Sequence, residues 1–170
     1  SSAGIKLGKY LEEKYGIPNL FASPIARLSE KIIGEIEKRN FEKLFKHREK
    51  TDVVVVGESL ISLSLSAEYK LETGEDADVI STTELGGELL GENDRFIRNE
   101  AELKTALENY KRIIGDPLYK RIAPKTAEFI EIPHLAFSGR LFLNSIPDFL
   151  EMTFLQRETR SADDEYRYNR

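Results

Sequence analysis

The feature that most restricts the fold is the run DVVVVGE, in which four consecutive valines, residues 53–56, are followed by Gly57. Valines on both faces of one strand are typical of the interior of a parallel sheet, whereas a half-exposed strand alternates polar and apolar residues. Parallel strands are joined by crossover connections, most of which are helices. We therefore expect this run to be a central strand of an α/β domain.

Three further segments have the pattern of short buried strands. They are ADVIS (residues 77–81), KRIIG (residues 111–115) and EFIEIP (residues 128–133). The segment SLISLSLSAEYKLE, after the valine run, alternates serine and leucine like a strand, but the parallel connection requires a helix there. NEAELKTALENY has Asn99 and Glu102 in capping-box spacing, which predicts a helix start, and LYKRI predicts a short helical segment that ends before Pro124.

The alternation of strands and helices defines the predicted fold class. It is an α/β fold, a three-layer doubly wound Rossmann-like domain with a mainly parallel sheet of four to five strands. In such domains ligands bind outside the carboxyl ends of the strands. We therefore expect functional residues in the segments that directly follow each strand.

The segments before the valine run are predicted to be helical. AGIKLGKYLEEKYGIP has apolar residues at four-residue spacing and ends at Gly16. SPIARLSEKIIGEIEKRN starts with Ser23 as a suitable N-cap, and FEKLFKHREK predicts another amphipathic helix. The last residues, 157–170, are charged and aperiodic and predict a loose tail or a partner-binding arm.

Composition excludes several classes of protein. The chain has 170 residues, enough for one substantial core, and its net charge of -5 argues against a nucleic-acid groove as the main surface. We find no apolar run that could span a membrane and no secretory signal, and we expect a cytoplasmic protein. With no cysteine and only two histidines, the chain cannot build a Cys-type zinc site, an iron–sulfur site or a multi-histidine metal site of its own.

Candidate site residues follow the first two predicted strands. Gly57 stands where a dinucleotide-binding domain has its glycine-rich loop, but VVVVGESLISLS has one glycine where that fingerprint needs three. Glu58 and Ser59 would still face the ligand crevice, as would Thr82 and Thr83 after the second strand. The alternative is that these polar residues only cap the next helix, as does the Asp of GDP (residues 115–117).

The loop HLAFSGRLF after the last predicted strand contains His134, Ser138 and Arg140. Nucleophilic catalysis by Ser138 with His134 as base would also require an orienting acid and an oxyanion hole, and the chain has no G-x-S-x-G elbow. We therefore do not predict a hydrolase and assign no catalytic residue. An isolated histidine in such a loop is more often a hydrogen-bonded structural residue.

Three stretches together resemble the component-1 family of nitrogenase-like proteins: GKYLEEKYGIPNLFASPIA, VVVVGESLISLSL and IIGDPLYKRIAPKTAEFIEIPHLAFSGRLFLNSIPDFL. The family includes the nitrogenase subunits, their cofactor-assembly scaffolds, the dark-operative protochlorophyllide reductases and the nickel-sirohydrochlorin reductive cyclase of methanogens. The most specific element is the loop at residues 132–139. The resemblance implies that residues 1–156 are the family's C-terminal α/β domain, with residues 1–22 belonging to the end of the preceding subdomain.

The resemblance also implies a site and partners. The strand-end loops of this domain line the cavity for a metallocluster or tetrapyrrole in the family, which makes pocket residues of Gly57, Glu58, Ser59, Thr82, Thr83, His134, Ser138 and Arg140. An iron–sulfur cluster is expected from regions outside this chain, and electrons from an ATP-dependent iron–sulfur reductase component. A same-family subunit, in a homodimer or heterotetramer, is the other expected partner, and no nucleic acid or membrane.

Nitrogenase has a cofactor-ligating histidine shortly after the serine and glycine of this loop, and Phe142 stands at the comparable position here. This difference favours a tetrapyrrole reductase, most specifically the nickel-sirohydrochlorin a,c-diamide type, and the isolated chain is expected to be inactive. Arg140 could bind a substrate carboxylate or form a surface ion pair. Two alternatives stay open: a non-catalytic cofactor-assembly scaffold or interaction module, and a free-standing binder of small molecules.

Overall fold

The computed structural model describes residues 2–17, 50–83 and 90–142, with the backbone alone at residues 2–5 and 140. Its strands form one five-stranded sheet in the order β3-β2-β1-β4-β5, in which every neighbouring pair is parallel. The strands are β1 (Val53–Gly57), β2 (Asp78–Ser81), β3 (Arg95–Phe96), β4 (Arg112–Gly115) and β5 (Glu128–Glu131). The valine run is therefore the central strand, as its pattern predicts.

Helices connect these parallel strands or flank them. The described helices are α1 (Ser2–Tyr15), α2 (Ser59–Thr73), α3 (Glu100–Leu107), a 3₁₀-helix (Pro117–Arg121) and a single turn, α4 (Gly139–Phe142). Asn99 is the N-cap of α3, as predicted: its side-chain oxygen accepts a hydrogen bond from the backbone nitrogen of Glu102, and its side-chain amide donates to the carboxylate of Glu102.

The four valines of β1 build the core by pointing alternately to the two faces of the sheet. Val53 and Val55 pack on one face in a cluster that includes Leu65 and Tyr69 of α2. Val54 and Val56 pack on the other face in a cluster that includes Leu103, Ala106 and Leu107 of α3. Helices thus cover both faces of a parallel sheet, which confirms the predicted three-layer, doubly wound α/β architecture.

Helix α2 resolves the ambiguity of the serine–leucine alternation. All residues from Ser62 to Tyr69 are buried, so the segment has no exposed face that a period of either two or 3.6 would reveal. Its serines are compatible with burial because their hydroxyls are satisfied: Ser64 donates to the carbonyl of Leu60, and Ser66 to that of Ala77 at the edge of β2. The helix ends at Gly74, whose φ of 80° is the left-handed conformation that glycine adopts readily.

The structure differs from the prediction in one strand. Residues 95–96 pair with β2 as the two-residue edge strand β3, and the sequence RF gives no strand pattern. The helices predicted from residues 23–40 and 41–50, and the tail at residues 157–170, lie outside the described residues apart from position 50. No helix in the described ranges combines the length and the apolar character needed to cross a membrane.

Candidate functional site

A mainly apolar cavity of about 100 Å³ lies at the carboxyl edge of the sheet. It is bounded on one side by the end of β1 and the first two turns of α2, and on the other by the end of β4 and the loop after β5. The lining residues are Val56, Gly57, Glu58, Ile61, Ser62, Leu65, Gly115, Asp116, Ile132, Pro133, His134, Leu135 and Phe137. This is the position at which doubly wound domains bind ligands.

The turn from β1 into α2 forms one wall of the cavity. Gly57 has a φ of 156°, and a Cβ at this position would lie 3.3 Å from Ser62 Oγ, so a larger residue would be both strained and crowded. Glu58 is the N-cap of α2, and its Oε2 accepts a hydrogen bond of 2.9 Å from the backbone nitrogen of Ile61. The wall is therefore set by a glycine conformation and a carboxylate cap.

The carboxylate cap also decides what the start of α2 can bind. In dinucleotide-binding domains the pyrophosphate accepts hydrogen bonds from the first helical turn, where the helix dipole favours an anion. Here the carboxylate of Glu58 already accepts from that turn, and its negative charge would repel a phosphate. The geometry thus agrees with the incomplete glycine fingerprint and disfavours a nucleotide phosphate at this position.

Ser59 and Thr83 belong to a network of hydroxyl groups that joins the ends of β1 and β2, and they do not line the cavity. Ser59 Oγ lies 2.6 Å from Ser81 Oγ at the end of β2 and 3.2 Å from both the carbonyl oxygen and Oγ1 of Thr83. Ser59 is 1% exposed, and Ser81 also donates to the carbonyl of Thr83. These hydroxyls therefore join the ends of β1 and β2, and a ligand does not reach Ser59.

Thr82 joins the same loops from the other side. Its backbone nitrogen and its hydroxyl both contact the carbonyl oxygen of Gly57, and its hydroxyl lies 2.8 Å from the phenol oxygen of Tyr119 in the 3₁₀-helix. Burial raises the pKa of Tyr119 above its ordinary value, and the carboxylate of Asp116 raises this pKa further against the opposing effect of Thr82.

Asp116 is the central polar residue of the second wall. It is 3% exposed. Its Oδ1 accepts from the backbone nitrogen of Leu118, which caps the 3₁₀-helix as predicted. Its Oδ2 accepts from the backbone nitrogen of His134 at 2.8 Å and from the hydroxyl of Ser138 at 2.6 Å. One buried carboxylate therefore attaches both ends of the HLAFS turn to the end of β4.

His134 is the partly exposed polar side chain on this turn. Its Nδ1 accepts a hydrogen bond of 3.1 Å from the backbone nitrogen of Ala136, and its ring lies 4.7 Å from that of Phe137. Ser138 donates to Asp116 and is 2% exposed. Ser138 donates to a carboxylate instead of to an imidazole, so the pair does not form a nucleophile and base.

The predicted site residues thus fall into three groups. Gly57, Glu58 and His134 line the cavity. A second group supports its walls through internal hydrogen bonds: Ser59, Thr82, Thr83 and Ser138. The side chain of Arg140 lies outside the described part of the chain. Sequence reasoning identified Asp116 only as a helix cap and missed its hydrogen bonds to the loop 18 to 22 positions later.

The described residues do not fit an iron–sulfur cluster. In residues 2–17, 50–83 and 90–142 there is no group of three or more metal-ligating side chains, and the whole chain contains no cysteine. Iron–sulfur clusters are held by cysteine thiolates, with histidine as an occasional substitute. This chain therefore has no thiolate with which to hold such a cluster.

Comparison of the chain with protein-family models, with curated proteins and with solved structures gives no significant match in any of the three.

Proposed function

We propose that this chain is the C-terminal α/β domain of a nitrogenase-like reductase component and that the cavity is one part of the wall of its substrate cavity. The observation that supports the proposal is a convergence in space. Gly57 and Glu58 come from one of the stretches that carry the family resemblance, and Asp116 and His134 come from another. Both stretches line the same cavity at the carboxyl edge of the sheet.

The cavity is too small to be a complete substrate site, which favours its being part of the wall of a larger one. Pockets that enclose a small-molecule ligand usually measure roughly 300–1,000 Å³, whereas this cavity measures about 100 Å³. It can hold one substituent of a tetrapyrrole but not the macrocycle, so other parts of the assembly would complete the site. The same comparison, with the carboxylate cap at Glu58, disfavours a free-standing nucleotide binder.

The chain's own residues would bind and orient the substrate. Gly57 allows close approach, Glu58 and His134 are the lining residues proposed to orient the substrate, and Asp116 with Ser138 fixes the loop. Arg140 is a candidate partner for a substrate carboxylate. Electrons would come from an ATP-dependent iron–sulfur reductase through a cluster held outside this chain, so we expect the isolated chain to be inactive.

The test uses the complete protein with its reductase partner, ATP and reductant under anaerobic conditions. Among family substrates we propose nickel-sirohydrochlorin a,c-diamide, because Phe142 replaces the ligand histidine of nitrogenase. We expect its absorption spectrum to change with time, and only when ATP is present. An unchanged spectrum, with a reductase partner shown to hydrolyse ATP, would make this substrate assignment wrong.

A pair of matched variants connects that activity to this cavity. Ile61→Phe enlarges a side chain that lines the cavity, whereas Leu118→Phe makes a similar change on an exposed residue that does not. We expect Ile61→Phe to lower kcat/KM at least about tenfold, a loss of roughly 1.4 kcal/mol or more in transition-state stabilisation, and Leu118→Phe to leave kcat/KM within about twofold. Equal effects would mean that the substrate does not enter here.

A second candidate function is a non-catalytic scaffold or interaction module of the same family. It is favoured by the internal hydrogen bonds of Ser59, Thr82 and Ser138, which leave these hydroxyls engaged within the fold. Binding of the tetrapyrrole by the complete protein without any ATP-dependent spectral change would support this function. Turnover would exclude it.

A further inference from the structure

The hydrogen bond inside the HLAFS turn determines which nitrogen of His134 carries a hydrogen. A backbone N–H can only donate, so the Nδ1 that lies 3.1 Å from the nitrogen of Ala136 must present its lone pair. The neutral imidazole therefore carries its hydrogen on Nε2. The atom at the far side of the ring is thus a donor.

The backbone that fixes this tautomer is itself anchored. Asp116 accepts from the backbone nitrogen of His134 and from the hydroxyl of Ser138, so one carboxylate holds the two ends of the turn. The carbonyl oxygen of His134 accepts from the nitrogens of both Phe137 and Ser138 at 3.0 Å. Since Ala136 lies within this closed turn, its N–H cannot move away from the imidazole without opening the turn.

We propose that His134 is a specificity-determining hydrogen-bond donor, which presents Nε2–H to a carbonyl or carboxylate oxygen of a molecule bound against the apolar cavity. It is neither a metal ligand nor a proton acceptor through Nε2. The identity of the bound molecule rests on the proposed function, but the assignment of the hydrogen to Nε2 rests only on the geometry of the turn.

His134 differs from a metal-binding histidine in the hydrogen bond made by its second ring nitrogen. A histidine that ligates a metal through one nitrogen usually donates from the other to a carboxylate, carbonyl or water. Here the other nitrogen faces a donor, the N–H of Ala136. Metal binding through Nε2 would require a hydrogen on Nδ1 and would bring two N–H groups together, so this turn disfavours a metal at His134.

The tautomer can be measured directly in the 170-residue chain by nitrogen NMR of the imidazoles. The chain has two histidines, and the variant His47→Gln leaves the signals of His134 alone. At about pH 9, well above the ordinary pKa of histidine, we expect a protonated Nε2 and an unprotonated Nδ1, with no change on addition of Zn²⁺. Hydrogen on Nδ1, an equal mixture of tautomers, or a Zn²⁺-dependent shift of Nε2 would each overturn the proposal.

Two isosteric variants test the role toward substrate in the complete protein. In His134→Asn the amide oxygen can replace Nδ1 as acceptor from Ala136, but the distal donor is removed. In His134→Gln the amide nitrogen can occupy the place of Nε2. We expect His134→Asn to raise KM about three- to tenfold, the usual effect of one hydrogen bond, and His134→Gln to restore part of the loss.

A KM in His134→Asn equal to that of the wild type would overturn the assigned role. These outcomes are separable from failure of the proposed function. If the wild-type complex does not turn over the proposed substrate, the reductase assignment fails while the NMR result still decides the tautomer. If turnover is observed but the imidazole carries its hydrogen on Nδ1, the inference fails and the proposed function stands.

Discussion

Ser138 Oγ donates a hydrogen bond of 2.6 Å to Oδ2 of Asp116, which lies 22 positions earlier in the chain. Both residues are almost completely buried, and the same Oδ2 also accepts from the backbone of His134. The end of β4 and the loop after β5 are therefore joined by one carboxylate. This junction holds in place the loop that forms one wall of the cavity.

Removal of either side chain of this hydrogen bond should destabilise the fold. A hydrogen bond to a carboxylate contributes about 1.5–3 kcal/mol, so we expect Ser138→Ala to lower the free energy of unfolding by that amount. Asp116→Asn should cost at least as much, because an amide has one acceptor oxygen where the carboxylate accepts on both sides.

Urea unfolding of the single variants and of the double variant measures the coupling between the two side chains. We expect the cost of Ser138→Ala to become smaller in the Asp116→Asn background, because the hydroxyl has then already lost its acceptor. Ser64→Ala is the control for loss of a buried serine hydroxyl, because Ser64 donates to the carbonyl of Leu60 in α2 and makes no hydrogen bond to Asp116 or Ser138; its effect should add to that of Asp116→Asn. Purely additive effects at Asp116 and Ser138 would contradict the proposed junction.

His134→Ala should have a much smaller effect on stability. The side chain contributes one accepted hydrogen bond and one ring contact in a partly exposed turn, so we expect a loss of about 1 kcal/mol in the free energy of unfolding. Activity of the complete protein should fall at the same time. Thermal unfolding of the chain checks the first part, and a loss of more than about 3 kcal/mol would reveal a mainly structural histidine.

The sequence predicts the features that have a local signal and misses those that depend on the pairing of distant strands. The four valines, the N-cap at Asn99 and the glycine at position 57 are local signals, and each predicted its element correctly. The two-residue strand β3 has no such signal, because only its pairing with β2 makes it a strand. Likewise, Asp116 was predictable as a cap two residues from Leu118, but its bonds to His134 and Ser138 depend on the parallel pairing of β4 with β5.

The close approach of β1 and β4 gives a third prediction. A Cβ added to Gly115 would lie 2.6 Å from Cγ1 and 2.8 Å from the carbonyl oxygen of Val56, on the neighbouring strand. Neither strand can shift easily in the middle of the sheet, so we expect Gly115→Ala to lower the free energy of unfolding by about 1–3 kcal/mol. Because Gly115 and Val56 both line the cavity, the same variant should also weaken binding there.

Gly74→Ala is the matched control for the steric clash expected at Gly115. Gly74 has a φ of 80° but no atom within 4 Å of an added Cβ, so its cost of about 1 kcal/mol should come from backbone strain alone. Chemical unfolding of both variants separates the two causes. If Gly115→Ala were no more destabilised than Gly74→Ala, the close packing of β1 on β4 would not be rigid.

The last prediction concerns alkaline pH. Burial raises the pKa of Tyr110, and the carboxylate of Asp78, which accepts a hydrogen bond of 3.0 Å from its phenol, raises it further. The pKa values of Tyr69 and Tyr119 are also raised by burial. Above pH 10, the ordinary pKa of tyrosine, the unfolded chain loses these protons while the folded chain keeps them. The folded state then binds more protons, so the free energy of unfolding must fall as the pH rises.

Ionisation of these tyrosines should therefore give stability no pH dependence below about pH 9, and stability should decrease steadily above about pH 10. Urea unfolding at a series of pH values measures the slope, and tyrosinate absorbance reports ionisation in the same samples. Tyr110→Phe should be less stable near neutral pH, because the phenol that donates to Asp78 is gone, but should show a shallower decrease above pH 10. A decrease as steep as that of the wild type would mean that Tyr110 ionises equally well in the folded and unfolded chains.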